Sequence, residues 1–199
     1  LDDAARIICR RSRLLKRVSG QGAMGLLDLS LEKAKEAIKG YEDRLSIAVS
    51  NGPRSTVLSG DPAAIDEVLE ALKQKNVFCR RVKVDVASHS PQMDPLREDL
   101  ETAIAGVAPR PPAVPMYSTV NGVDDASLTL DEGYWVRNLR DPVLFGAAVE
   151  RLLARGHVAF LEMSPHPILL PSVEGIFQHL DKPALALPSL RREEDEREV

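Results

Sequence analysis

The residues best suited to chemistry in this 199-residue chain lie in Val86-Ala87-Ser88-His89-Ser90-Pro91-Gln92-Met93-Asp94. An alternating strand pattern carries His89 straight into a Ser-Pro helix start, and in α/β folds such strand ends commonly carry active groups. An imidazole with an ordinary pKa of ~6.5 can take and return a proton near neutral pH, or can be purely structural. The second candidate is Arg11. At about 100° per residue, a helix over 2–17 puts Ala4, Ile7, Ile8, Leu14, Leu15 and Val18 on one face, with Arg11 at its centre. A guanidinium there must snorkel, join an ion pair, or face a cleft where it can bind a carboxylate. From the residues alone, both positions keep a structural reading beside the chemical one.

Other candidates are weaker. His157, His166 and His179 read as structural, His166 within the rigid Ser164-Pro165-His166-Pro167 loop, and no HExxH or spaced Cys/His cluster predicts a metal site. Gly20-Gln21-Gly22 is too short for a phosphate loop and reads as a connector. No Gly-x-Ser-x-Gly elbow occurs, and Cys9 and Cys79 sit in regular elements without a histidine nearby. Two distant cysteines predict neither a disulfide framework nor a thiolate site, so a reducing cytoplasm is the expected setting. A formal net charge of −4 argues against broad nucleic-acid affinity, although Arg6 to Arg17 is basic and Glu193 to Glu198 acidic. No apolar run approaches a membrane span.

These residues need a frame. From 21 to 88 the order strand, helix, strand, strand, helix, strand predicts a ferredoxin-like βαββαβ subdomain. Its elements are a strand over 23–29, a helix over 31–39, strands over 45–49 and 55–58, a helix capped by Asp61, and a strand over 77–86. In that last strand Val82, Val84 and Val86 share a face. Beyond it come a helix over 90–107, a strand over 116–120, an Asn121-Gly122 turn and a short helix over 134–139. Asp141 is expected to cap the next helix, Gly156 to end it, and a buried strand over 158–163, a helix over 168–179 and a strand over 184–187 to follow. This predicts an incomplete α/β-hydrolase-like layer into which the smaller unit is inserted, with its missing strands expected before Leu1. The boundaries are 1–20 for a helix of the large subdomain, 21–88 for the small subdomain, 89–187 for the rest of the large one and 188–199 for a linker.

Several motifs together resemble the acyltransferase domains of bacterial type I modular polyketide synthases, in their downstream two-thirds. They are Cys9-Arg10-Arg11-Ser12-Arg13-Leu14-Leu15, Gly20-Gln21-Gly22-Ala23-Met24, Val57-Leu58-Ser59-Gly60-Asp61-Pro62, Val86 to Asp94, Tyr134-Trp135-Val136-Arg137-Asn138-Leu139-Arg140 and Ser164-Pro165-His166-Pro167. Pro188-Ser189-Leu190-Arg191-Arg192 resembles the linker that follows such domains.

The resemblance implies that His89 is the catalytic histidine, oriented by a backbone carbonyl in the 141–144 region, and that Arg11 pairs with the free carboxylate of a malonyl-type unit. It implies that Ser88, at a position where Phe accompanies malonyl-CoA and Ser methylmalonyl-CoA, leans towards methylmalonyl, while Val86 departs from the family's usual His or Tyr. The implied reaction moves the acyl group from coenzyme A to the phosphopantetheine thiol of an acyl carrier protein through a serine acyl-enzyme. No bound cofactor is expected. The partners are the carrier protein, the acyl-CoA and neighbouring synthase domains. The serine belongs to a Gly-His-Ser-x-Gly segment expected upstream of Leu1, so the 199 residues alone should be inactive. The alternatives are a non-catalytic carrier-protein docking module and a thioester hydrolase.

Overall fold

The computed structural model describes residues 1–120 and 128–194. The expected Asn121-Gly122 turn lies outside the described residues. The chain opens with α1 (Asp2–Leu15), whose acidic residues start it and whose Arg13 ends it, as the helix dipole favours; a 3-10 turn (Lys16–Val18) follows. Ile7 and Leu14 are buried, whereas Ala4 and Ile8, expected on the same face, are exposed.

Six elements then form one sheet unit: β1 (Ala23–Leu27), α2 (Leu31–Ala37), β2 (Leu45–Gly52), β3 (Ser55–Gly60), α3 (Pro62–Gln74) and β4 (Cys79–Arg81). The sheet is wholly antiparallel in the order β2-β3-β1-β4. Ser30 and Asp61 cap the two helices through the N–H groups of Lys33 and Ala64. Ile65, Val68, Leu69 and Leu72 of α3 pack with Leu27, Leu45 and Leu58 in a dry core. α3 lies so close to β1 that a Cβ on Gly25 would stand 3.2 Å from Leu69.

The expected strand over 77–86 contracts to three residues. β1 begins at Ala23, so the ladder runs out after Val82 donates to the Met24 carbonyl. Val84 N–H then bonds back to the Val82 carbonyl, which turns the chain out of the sheet and leaves Val84 40% exposed.

The rest is helical with a small parallel sheet. A 3-10 segment (Pro91–Leu96) precedes α4 (Arg97–Ile104), replacing the single helix expected over 90–107. Pro95 has no N–H for an α-helical ladder, and Gly106, at φ +80°, follows the helix end. The expected strand over 116–120 is absent. Its groups bond elsewhere, Thr119 O to Leu144 N–H and Val120 N–H to Ser118 Oγ.

α5 (Glu132–Arg140), α6 (Phe145–Ala154), β5 (Ala159–Glu162), α7 (Leu170–His179) and β6 (Leu185–Pro188) complete the chain. Asp141 does not cap α6 as expected: it closes the C-terminus of α5, and α6 starts after Leu144 without a side-chain cap. β5 pairs in parallel with β6. Phe160 and Ala186 pack with α6 and α7, but Leu161 and Leu185 on the other face are 58% and 54% exposed, so β5 is not the buried strand expected.

A second core joins Ile7 and Leu14 of α1, Met93, Leu96, Leu100 and Ile104, and Val136 and Leu139 of α5. Arg6 donates to the Ala105 carbonyl and Arg17 pairs with Asp99, fastening α1 along α4. The α1–α4–α5 cluster frames the histidine loop, and Met93 within it is fully buried. Met93→Ala should cost about 2–5 kcal/mol from lost contacts and the cavity left behind, whereas Glu70→Ala on the surface should stay within about 0.5 kcal/mol. Urea denaturation of the protein carrying this chain measures both.

Candidate active site

His89 sits in the irregular segment between β4 and the 3-10 turn. The Asp85 carbonyl accepts from Gly20 N–H (2.9 Å) and Gly22 N–H (3.3 Å), tying this segment to the connector after α1. A Cβ on Gly22 would stand 2.3 Å from the Ala87 nitrogen, so the motif Gly20-Gln21-Gly22 exists for close backbone approach. Ser90, almost fully buried, donates its hydroxyl to the Ala87 carbonyl at 2.7 Å and accepts from Gln92 N–H at 3.3 Å.

The backbone of His89 is left-handed, at φ +62°, a conformation that a non-glycine residue keeps only where its surroundings over-determine it. Those surroundings are the end of α5. His89 N–H donates to the Leu139 carbonyl at 3.1 Å, and Nδ1 lies 2.8 Å from the Asp141 carbonyl. A carbonyl can only accept, so Nδ1 carries the hydrogen and Nε2 keeps its lone pair. Burial pulls the ring's pKa below 6.5; the Asp141 carbonyl opposes this and the charge of Arg11 adds to it. A ring neutral at physiological pH, held in one tautomer, can act as a base.

The Asp141 carbonyl is itself fixed from two sides. Asp141 N–H donates to Arg137 O at 2.7 Å, closing α5. Two residues on, Val143 exchanges hydrogen bonds with β2, donating to Ala48 O and accepting from Ser50 N–H, each at 2.8 Å.

Arg11 projects from α1 towards the same helix end. Its Nη1 donates to Asn138 Oδ1 at 2.6 Å, and burial lowers its pKa with no acidic partner counteracting it. The ion pair that the sequence left open is therefore not made among the described residues. His89 and Arg11 are brought together, close enough for the arginine's charge to bear on the imidazole. Ser88 immediately precedes His89 and is half-buried; Val86, also half-buried, follows the Asp85 anchor.

The remaining histidines stand apart. His157 meets Tyr117 edge-on, His166 Nδ1 accepts from Arg192 N–H, and His179 ends α7. No group of three metal-ligating side chains exists among the described residues. Sequence reasoning singled out neither Asn138 nor Glu162. Burial would raise the Glu162 pKa, but N–H groups of Ile168, Leu170 and Leu169 and the Ser164 hydroxyl outweigh it and hold it low. That carboxylate fastens the Ser164–Pro167 loop and caps the start of α7. Its one sequence signal is an acid ending an apolar strand before Ser-Pro.

Fold and site together define a mixed α/β protein that sets a neutral histidine beside an unneutralised arginine. Residues 1–199 match the family described as the acyl transferase domain. The chain is 45% identical over 195 residues to the spectinabilin polyketide synthase system protein NorC of Streptomyces orinoci, covering 98% of this chain and 9% of that protein. It is 40% identical over 195 residues to erythronolide synthase EryA2 of Saccharopolyspora erythraea, covering 97% and 6% respectively. It superposes on the acyltransferase domain from module 8 of the salinomycin polyketide synthase with a TM-score of 0.91 at 42% identity, over 96% of this chain and 45% of that one. The chain belongs to the acyl transferase domain family, in the form found in type I polyketide synthases.

Because folding weakens the hold of His89 on its proton, this group favours the folded state above the unfolded pKa of ~6.5, and that contribution is lost as pH falls towards the depressed folded value. NMR of the His89 ring should give a titration midpoint below 6.5. A midpoint at or above that value would mean that the Asp141 hydrogen bond outweighs burial and the charge of Arg11.

Proposed function

We propose that the domain containing this chain loads a malonyl-type extender unit from coenzyme A onto the phosphopantetheine thiol of an acyl carrier protein. The observation that carries this reading is the Arg11 guanidinium: half-buried, hydrogen-bonded among the described residues to a neutral amide and to no acid, and next to a neutral imidazole. A buried cation without a counter-ion is costly, and a substrate with a free carboxylate supplies the missing charge. A thioester hydrolase of simple acyl groups would have no use for it.

In this reading the nucleophile is a serine on the part of the domain that the chain does not span; no Gly-x-Ser-x-Gly occurs in the 199 residues. His89 Nε2 takes the serine proton as Oγ attacks the thioester carbonyl. The C–S bond then breaks, and the departing coenzyme A sulfur takes the proton from the imidazolium. In the second half the carrier thiol gives its proton to Nε2, and its sulfur attacks the serine ester. The C–O bond breaks and Oγ recovers the proton. The Asp141 carbonyl holds the ring in the required tautomer and stabilises its charged form transiently.

In this reading Ser88 and Val86 would flank the acyl group. The small Ser88 would leave room for an α-methyl, favouring methylmalonyl over malonyl units, although Val86 departs from the family's usual His or Tyr. The sheet order β2-β3-β1-β4, wholly antiparallel with α2 and α3 as crossovers, supports a ferredoxin-like subdomain over 21–88. It would be inserted between 1–20 and 89–187 of an α/β-hydrolase-like subdomain, with 188–199 as linker. The carrier protein and adjacent synthase domains would be its partners in the cytoplasm, where two free cysteines are at home.

Loading of radiolabelled extender-CoA by the complete domain tests the assignment. His89→Ala should lower acylation by about 10²–10⁴-fold. Arg11→Ala should lower malonyl-type loading by about 10–100-fold while sparing acetyl loading, as expected for hydrogen bonds to a charged group. Ser88→Phe should shift selectivity from methylmalonyl towards malonyl. Unchanged acylation in His89→Ala would remove the assigned base, and an unchanged malonyl-to-acetyl ratio in Arg11→Ala would remove the carboxylate partner.

A further inference from the structure

We propose that Asn138 is a positioning residue for acyl selectivity: its side-chain carbonyl aims the Arg11 guanidinium while leaving that guanidinium's charge unneutralised for the incoming carboxylate. The inference rests on the reading of Arg11 as the carboxylate partner, and concerns what keeps Arg11 fit for that role.

The contact is short and well suited chemically. Arg11 Nη1 donates to Asn138 Oδ1 at 2.6 Å across 127 positions of chain. Arginine only donates, so the amide must present its oxygen. One of the five guanidinium N–H groups is thereby held, which fixes the plane of the fork and leaves the others to meet a second acceptor.

Neutrality of the acceptor is the informative part. Elsewhere in the described chain, arginines commonly meet acids: Arg17 pairs with Asp99, Arg44 with Asp61, Arg54 with Asp28, Arg81 with Asp66 and Arg140 with Asp94. Those are largely exposed pairs, where the attraction is worth little. Arg11, in a more buried place where a partner would matter more, has an amide. An aspartate here differs from Asn138 by one atom and would give a tight, neutral pair with no attraction left for a substrate anion. Asparagine supplies orientation without neutralisation.

The position in the fold strengthens the inference. Asn138 lies in the last turn of α5, adjacent to Leu139, whose carbonyl holds the His89 backbone, and three residues before Asp141, whose carbonyl holds the ring. One helix end thus registers the guanidinium against the imidazole. The carbonyl-rich C-terminus also favours a nearby cation, offsetting part of the cost of burying Arg11. Of the residues in the Tyr134–Arg140 motif, Trp135 bonds to the Leu130 carbonyl and Arg140 to Asp94; Asn138 is the one whose side chain reaches the site.

The test uses the complete acyltransferase domain and steady-state loading of malonyl-type and acetyl-CoA by Asn138→Asp, Asn138→Ala and Arg11→Ala. Asn138→Asp should lower kcat/KM for the malonyl-type substrate by about 10-fold or more, the scale of one charged hydrogen bond, and leave acetyl loading within about twofold. Asn138→Ala keeps the charge but frees the fork, so it should raise KM for the malonyl-type substrate several-fold with little change in kcat. Equal losses on both substrates in Asn138→Ala would mark a merely structural residue and overturn the proposal, whether or not Asn138→Asp folds. If Arg11→Ala shifts the malonyl-to-acetyl ratio and neither Asn138 variant does, this proposal alone fails. If Arg11→Ala leaves the ratio unchanged, the underlying reading of Arg11 fails first.

Discussion

The end of α5 is where the two candidate site side chains, His89 and Arg11, are held. Three contacts meet there within four residues: the Asn138 amide on Arg11, the Leu139 carbonyl on the His89 N–H, and the Asp141 carbonyl on the His89 ring. None of these groups carries charge, yet each faces a donor. A left-handed histidine and a half-buried guanidinium are both conformations or placements that cost free energy alone. They persist because α5 is itself fixed, by Val136 and Leu139 in the core shared with α1 and α4, and by Val143 paired to β2.

That pairing explains why the four-stranded sheet matters to a site it does not contain. β2 clamps the Asp141–Val143 segment from one side, and the Gly20–Gly22 connector clamps Asp85 and Ala87 from the other. His89 is therefore suspended between two units, its backbone fixed by one strand exit and one helix end. In such an arrangement an imidazole keeps a single tautomer without a carboxylate partner. A neutral carbonyl in that role orients the ring while stabilising the imidazolium less than a carboxylate would, which suits a base that must give its proton back twice per cycle.

Much of this could be read from residue types. His89 at the exit of an alternating segment and Arg11 alone on an apolar helix face are local signals; the orienting carbonyl in the 141–144 region was implied only by the family resemblance, and in the structure the His89 ring meets the Asp141 carbonyl. The small unit's element order was also readable, because each helix carries its own cap and each strand its own period. What could not be read depended on partners distant in sequence. Val82, Val84 and Val86 alternate like a strand, but β1 gives them no ladder beyond Val82, so they form a turn instead. Residues 116–120 have strand composition but bond to Leu144 and to Ser118. Asp141 has the composition of a cap, and its backbone proved more important than its side chain. Asn138 belonged to a motif that carried the resemblance but was not marked out within it, because an amide in a helix becomes meaningful only when the guanidinium 127 positions away is placed against it.

The family relationship is to acyl transferase domains, and the proposed preference for substrates that bring their own negative charge rests on Arg11. If Arg11 is held unneutralised for a carboxylate while His89 offers Nε2 to the nucleophile, both contacts should be visible in one structure. A crystal structure of the complete domain trapped as its malonyl-type acyl-enzyme tests it most directly. The free carboxylate should be forked onto Arg11 with the Asn138 bond retained, and His89 Nε2 should lie within hydrogen-bond distance of the ester oxygen. A carboxylate bound away from Arg11, or a ring turned so that Nε2 faces the Asp141 carbonyl, would contradict it.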